Sequence, residues 1–399
     1  MKKRILFVDD EPNVLSGLQR MLRSMRDDWE MIFVDSGPKA LQEMAQRSFD
    51  VVISDMRMPG MNGAELLREA MRLYPATVRI VLSGHAEHDL VNQCVGVAHQ
   101  YISKPCDPDQ LKSMIQNATI ISGKLVDEGV KRIVGSIESL PSAPRLYTAL
   151  EAALKDENSS MQALAEIIQQ DIGMTAKILK LVNSSFFGLR RTIENAQEAV
   201  NYLGIDTIKG LVLVNGVFEN AHPLSFSALT LDDLWAHTLS VANGAKILAK
   251  VENLDRHLQE ETYIGGVLHD IGVLVLATQF PKQYERVTEL VRTEHISIPI
   301  AEQWEFGVTH ADIGAYLLGL WGIPASILKI VSLHHRPRFT QDKIFSPLLA
   351  VHLADVFCGS HSGNTLFEAS SLDTTMLEAQ GFSPHLERWR TCIDEHSIN

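Results

Sequence analysis

Over its first 122 residues the chain alternates five short apolar runs with amphipathic ones, and that alternation leaves few folds open. RILFVD (4–9), WEMIFV (29–34), FDVVIS (49–54), VRIVLS (78–83) and QYIS (100–103) are compact and rich in β-branched or aromatic side chains. PNVLSGLQRMLRSM, PKALQEMAQR, GAELLREAMRLY and EHDLVNQCVG lie between them with apolar residues at helical spacing, and a further helix begins near Asp107. Repeated strand–helix units predict a parallel sheet covered on both faces, with any site beyond the carboxyl ends of its strands.

Charged and polar residues stand at that edge. Asp9 and Asp10 close the first strand and Asp55 closes the third. Clustered carboxylates repel one another unless a cation neutralises them, and an all-oxygen site suits Mg²⁺. Ser83 ends the fourth strand and Lys104 follows the fifth. A hydroxyl donor and a fixed positive charge are the groups needed around a phosphoryl group carried on a carboxylate. Singly, each of these is an ordinary solvated loop residue; five at the ends of one sheet form a pattern.

The runs FVDDEP, SDMRMPGMNG, VLSGHAE and YISKP, which together span about residues 1–122, resemble the flavodoxin-like receiver domains of response regulators. The resemblance implies that Asp55 is the phosphoacceptor, a nucleophile toward the phosphohistidine of a sensor histidine kinase or phosphotransfer protein. It implies Mg²⁺ held by Asp9, Asp10 and Asp55 with the backbone carbonyl of Arg57, and phosphoryl oxygens bound by Ser83 and Lys104. Tyr101 matches the switch aromatic coupled to the hydroxyl residue; by itself it reads equally well as a plain strand residue.

Residues 123–135 continue the helical spacing of the preceding segment and predict a connecting helix rather than a flexible linker. From 136 to 360 the pattern is helical almost throughout, broken by Gly-, Asn- and Asp-rich turns. Residues 361–399 are more polar and predict two short helices that cap the preceding domain. The fold class expected is therefore a doubly wound α/β domain followed by an all-α one.

One set of residues in the helical half stands apart. His237, the pair His269–Asp270, His310, the pair His334–His335 and Asp355 fall on separate predicted helices or at their ends, and Asp233 lies one turn before His237. A helical bundle can converge such side chains on its interior. Imidazoles with carboxylates suit Fe, Mn, Zn or Ni more than Ca²⁺, and a bound metal can activate water for attack on a phosphodiester. A lone histidine in an apolar helix is more often a hydrogen-bonded core residue, but the full order H…HD…H…HH…D is far harder to reach by chance.

That order resembles the HD superfamily of metal-dependent phosphohydrolases. SLPSAPRLYTAL, IIQQDIGMTAKILKLVNSSFFG, AVNYLG, LWAHTLSVA, GGVLHDIGVLVL, FGVTHADIGAYLLGLWGIP and HHRP, over about residues 130–360, are similar to the narrower HDOD family. This implies a signalling or scaffolding module in which superfamily ligands are often lost, whereas here the ligand positions are filled. Relatives that hydrolyse cyclic di-GMP carry a GYP run after the paired histidines; HHRPRFTQDKIF stands there instead.

Charge and composition narrow the partners. Residues 1–122 hold 14 Lys+Arg against 16 Asp+Glu; the remainder hold 22 against 33, within a net charge of −13. An acidic helical half repels phosphates, so direct DNA binding is not expected. No apolar run approaches the roughly 20 residues of a membrane span, and the N-terminal apolar run ends in three acids, unlike a secretory signal. Four scattered cysteines fit reduced thiols and a cytoplasmic setting. The sequence thus predicts a phosphorylation-controlled interaction module acting on a downstream signalling protein, with a homodimer among its candidate assemblies. The alternative is a receiver-regulated metal-dependent phosphohydrolase with a nucleotide or cyclic dinucleotide substrate.

Overall fold

The structure is a computed structural model that describes residues 2–84, 97–123, 128–135, 137, 141–142, 144–156, 159–183, 192–213, 219–220, 230–339, 344–359, 365–368 and 371–397. Five parallel strands, β1 (Lys3–Val8), β2 (Trp29–Val34), β3 (Val51–Asp55), β4 (Val78–Gly84) and β5 (Gln100–Lys104), form one sheet in the order β2-β1-β3-β4-β5. Phe7 sits opposite Phe33 on one side and Ile53 on the other, and the Phe7 and Phe33 rings stack at 4.8 Å. Every residue of β3 is buried, as expected of a central strand covered on both faces.

Helices Pro12–Met21, Gly37–Gln46, Gly63–Leu73 and Pro108–Gly123 accompany the sheet. The first is shorter than its periodicity predicts, and its chain continues as a 3₁₀ turn over Arg23–Met25. The third begins in a capping box, in which Glu65 N–H donates to Asn62 Oδ1 and Asn62 N–H to Glu65 Oε2. Its first residue must be glycine, because a Cβ on Gly63 would come within 2.2 Å of the Asp55 carbonyl oxygen. That close approach fixes the loop leaving Asp55. The run EHDLVNQCVG, predicted as a helix, lies outside the described residues.

The connecting segment is seen as two helices, Pro108–Gly123 and Glu128–Gly135, with the residues between them outside the description. The second half of the chain is then helical. Its long members are Leu231–Val251, Arg256–Leu268, Pro281–Glu294 and Pro347–Gly359, with shorter helices Ile172–Val182, Ile271–Gln279, Ile298–Phe306, His310–Leu320 and Ala325–Leu333 among them. The helical stretch 196–213 breaks at Gly204, whose φ of 76° only glycine adopts without strain.

The C-terminal residues form more elements than the two helices predicted: Thr365–Glu368, Thr374–Ala379, a 3₁₀ turn over Ser383–His385 and Leu386–Ser397. Trp389 is fully buried in a cluster with Val241, Leu248 and Leu353, and its Nε1–H donates to Glu252 at 2.8 Å. Among the described residues no helix is long and apolar enough to cross a membrane.

Candidate functional site

The carboxyl edge of the sheet brings opposite charges together in a small space. Asp9 follows β1 and is buried; its Oδ1 accepts from Glu11 N–H at 2.9 Å and its Oδ2 from Lys104 Nζ at 2.7 Å. Asp55 ends β3, is 7 % exposed, accepts from Arg57 N–H at 2.8 Å and pairs with Lys104 through its other oxygen. Lys104, the last residue of β5, therefore bridges two carboxylates held on different strands. Asp10 adjoins them, half-buried, in the turn after β1. Ser83 pairs with Ser103 across β4 and β5, but its side chain lies outside the described residues. Tyr101 is 1 % exposed, three residues before the lysine. Three carboxylates at one edge, two of them shared by a single ammonium, are a donor set that fits Mg²⁺.

Burial is the largest influence on Asp55 and raises its pKa; the charge of Asp9 adds to this, and Lys104 and the Arg57 N–H offset it only in part. Lys104 is held above the ordinary lysine range, because its two carboxylates outweigh the effect of burial.

The second constellation lies inside the helical half. His237 projects from Leu231–Val251 and Asp355 from Pro347–Gly359. The other five donors stand at helix ends: His269 closes Arg256–Leu268, Asp270 precedes Ile271–Gln279, His310 opens His310–Leu320 and His334 closes Ala325–Leu333, with His335 next. Helix packing places these ends together. A Cβ on Gly272 would come within 2.0 Å of the His310 carbonyl oxygen, so only glycine lets these two helices approach.

Hydrogen bonds at one ring nitrogen aim the other inward. Nδ1–H of His269 donates to Gly266 O at 2.6 Å, that of His334 to Val331 O at 2.8 Å, and that of His310 to Glu302 Oε2 at 2.7 Å. The Nε2 atoms of these rings then present lone pairs to the centre. Nε2 of His310 is 3.3 Å from that of His334 and 3.0 Å from that of His335. Two lone pairs that close repel unless something lies between them, and imidazoles bound to one metal at about 2.0–2.1 Å place their nitrogens about 3.0–3.4 Å apart.

Asp270 faces both halves of the cluster. Its Oδ1 is 3.3 Å from His310 Nε2 and its Oδ2 is 3.3 Å from His269 Nε2. The donors accordingly fall into two groups, Asp270–His310–His334–His335 and His237–His269–Asp355. Both His237 nitrogens, His269 Nε2 and Asp355 Oδ2 are buried without an aligned hydrogen bond, although His237 Nε2 is only 3.2 Å from Asp355 Oδ1. Orphaned lone pairs facing one another fit a cation.

The charges are arranged unevenly. With no cation at the centre, burial opposes protonation of His310 but Glu302 and then Asp270 overcome it and raise its pKa to about 9, so that a proton takes the place of a metal on Nε2. Burial, reinforced by the neighbouring histidines, holds His334 and His335 well below the ordinary range. Asp270 is held well below the carboxylate range, because the surrounding histidines outweigh its burial.

Three residues of this site escaped sequence reasoning. Glu302 is fully buried, accepts from both His310 N–H and Nδ1–H at 2.7 Å, and receives the Tyr284 hydroxyl at 3.1 Å. His352 donates from Nδ1 to the His334 carbonyl at 2.7 Å. The Phe367 ring stacks on His237 at 3.9 Å. Conversely, Asp233 is no part of the cluster. It forms the capping box of its helix, accepting from Thr230 N–H at 2.9 Å and Thr230 Oγ1–H at 2.8 Å.

A doubly wound domain with this acidic edge, followed by a helical domain, defines a signalling protein of two parts. A family model of the response regulator receiver domain matches residues 5–116, and one of the HDOD domain matches residues 140–337. The chain belongs to the two-component response regulators that join a receiver domain to an HDOD domain.

A protein of Treponema pallidum without an assigned function is 25% identical over 237 residues, covering 59% of this chain and 45% of the other. The hydrogenase transcriptional regulatory protein HoxA of Cupriavidus necator is 33% identical over 121 residues, 30% of this chain and 24% of its own. Both curated relatives are thus matched over less than half their length. Among solved structures, a virulence factor (cj0248) of Campylobacter jejuni shares the fold, with a TM-score of 0.50 and 20% identity over 64% of this chain and 95% of that one.

The raised pKa of Asp55 has a consequence for stability. A carboxylate whose folded pKa lies above its unfolded value destabilises the fold once pH rises above the unfolded value. Without Mg²⁺ at neutral pH, Asp55→Asn should therefore raise the melting temperature, and the gain should vanish as pH falls below about 4, where the unfolded carboxyl protonates. Calorimetry that shows the variant melting lower at neutral pH would contradict this account of the site.

Proposed function

We propose that the chain is a phosphorylation-controlled signalling module, in which a phosphoryl group accepted by Asp55 alters the interactions of the HDOD domain. The observation that carries this reading is Lys104 bridging Asp9 and Asp55 beside Asp10. Asp55 Oδ attacks the phosphorus of a phosphohistidine on a histidine kinase or phosphotransfer protein, the donor that a receiver domain implies; the new O–P bond forms as the N–P bond breaks, and the donor's imidazole leaves and takes up a proton. Asp9, Asp10, Asp55 and the Arg57 carbonyl would hold Mg²⁺, which when bound neutralises charge on the transferring group. Lys104 would donate to a phosphoryl oxygen, with Ser83 as the proposed hydroxyl partner and Tyr101 as the residue that follows it.

The output is read as binding rather than DNA contact, because the helical half carries the larger acidic excess. Incubation with Mg²⁺ and acetyl phosphate should add one phosphoryl mass and change the gel-filtration profile. Asp55→Asn should show neither. The same elution change in that variant would end the proposal.

A second reading is favoured by one observation, the convergence of bare Nε2 atoms with the two oxygens of Asp270. His310, His334, His335 and Asp270 would hold one ion, and His237, His269 and Asp355, sharing Asp270, a second. A transition metal bound there supplies an acidified water and charge stabilisation for phosphodiester hydrolysis. Glu302 orients His310, and the Gly266 and Val331 carbonyls orient His269 and His334, the support that metal-bound imidazoles ordinarily have.

The donor side chains are 0–7 % exposed except His335 at 19 %. That burial, with the absent GYP run, favours a metal that organises the domain over one that meets a substrate. Protein purified without chelator should carry near-stoichiometric Fe, Mn, Zn or Ni by plasma mass spectrometry, lost in His334→Ala/His335→Ala. Metal no higher than in the double variant would remove this reading.

A further inference from the structure

The two domains meet on the edge of the receiver sheet opposite Asp55. Arg79, near the start of β4, is 1 % exposed; its guanidinium donates to Val97 O at 2.7 Å and, out of the receiver, to Gly135 O at 2.8 Å. Lys180 of helix Ile172–Val182 is 4 % exposed, donates to Ala98 O at 2.7 Å and lies 4.8 Å from the Trp321 ring centre. Gln100, the first residue of β5, donates from Nε2 to Leu320 O at 2.9 Å. Between the two cations lies His99, also buried, whose Nδ1 accepts from Arg79 N–H at 3.0 Å. The fit leaves no slack: a Cβ on Gly135 would come within 1.6 Å of Pro75 O.

Two features make this seam poised rather than permanent. Arg79 donates across the seam to a neutral carbonyl, which returns less of the desolvation cost than a carboxylate would. Burial accordingly lowers the Arg79 pKa to about 9, and burial with the two cations holds His99 well below the ordinary histidine range. On opening, water returns to Arg79 and Lys180 and offsets much of what the contacts lose. The second feature is β5 itself, an edge strand paired only with β4 among the described residues. Its far end is Lys104, held by Asp9 and Asp55. A phosphoryl group on Asp55 brings about two negative charges and three acceptor oxygens to that lysine.

We propose that the Arg79–Gln100–Lys180 seam is a latch, closed in the unphosphorylated chain and released when Asp55 is phosphorylated, so that phosphorylation uncovers the face of the HDOD domain that the receiver holds. This deepens the Asp55 reading and rests on it. The released face comprises the C-terminal end of helix His310–Leu320 with Trp321, and the Lys180 side of helix Ile172–Val182. Helix His310–Leu320 also packs on Pro108–Gly123 and Glu128–Gly135, and its first residue is the cluster histidine. One rod of about 16 Å thus spans from the seam to the metal-type cluster.

Hydrogen exchange of the full chain, followed by mass spectrometry, tests the latch. Beryllofluoride with Mg²⁺ should slow exchange around Asp55 and Lys104, and should speed it about tenfold in 97–102, 130–135 and 316–323. Gly135→Ala, which forces Pro75 away, should give the fast seam without beryllofluoride. Should that variant fail to fold, Gln100→Leu removes one bond across the seam at similar volume and should raise seam exchange in the same segments. Asp55→Asn with beryllofluoride should leave every segment unchanged. Slowed exchange at Asp55 with an unchanged seam overturns the latch alone; no change at Asp55 in the wild type overturns the phosphoacceptor reading and the latch with it.

Discussion

Both candidate sites are answers to one constraint: charges of the same kind brought together away from water must be neutralised locally. At the edge of the sheet the like charges are carboxylates, and Lys104 joins two of them. Inside the helical domain the crowded groups are imidazole lone pairs, and Asp270 stands at their centre with one oxygen toward each half. Removing Lys104 would leave buried carboxylates that repel one another, which costs more than the contact itself contributes. The architecture exists to hold these groups in place. The parallel sheet brings Asp9, Asp55 and Lys104 to one edge, and helix ends bring Asp270 and four histidines to one point.

The seam between the domains obeys the same constraint in a different way. Arg79 and Lys180 are buried and donate across it to the carbonyls of Gly135 and Ala98. The Arg79 contact is therefore specific in geometry and modest in net energy. Edge strand β5 is shared between phosphoacceptor site and seam, and helix His310–Leu320 between seam and histidine cluster. The chain has a continuous mechanical connection from Lys104 to His310 without any residue that belongs to all three regions.

Much of this was legible in the sequence, for physical reasons. Strand-end acids and the lysine are visible because a doubly wound sheet fixes where each strand stops. The histidine order is visible because so many imidazoles in apolar helices is improbable. Glu302 was not, because an acid in IPIAEQWEF reads as the solvated side of a helix, and nothing in its spacing links it to His310 eight residues later. Asp233 was misplaced for the opposite reason: helical periodicity put it beside His237, but Thr230 three residues earlier marks it as a capping partner. The seam was invisible. Arg79 in VRIVLS looks like a polar residue of a half-exposed strand, and its partner Gly135 lies 56 positions away.

The central claim is that the Asp55 site and the seam share one equilibrium, and linkage makes such coupling reciprocal. The most direct measurement is the affinity of the full chain for beryllofluoride in the presence of Mg²⁺, by titration calorimetry, in the wild type and in Gly135→Ala. With the latch already forced open, the variant no longer expends binding energy on releasing it and should bind several-fold more tightly. Equal affinities, with both proteins folded, would mean that the two ends of β5 do not communicate.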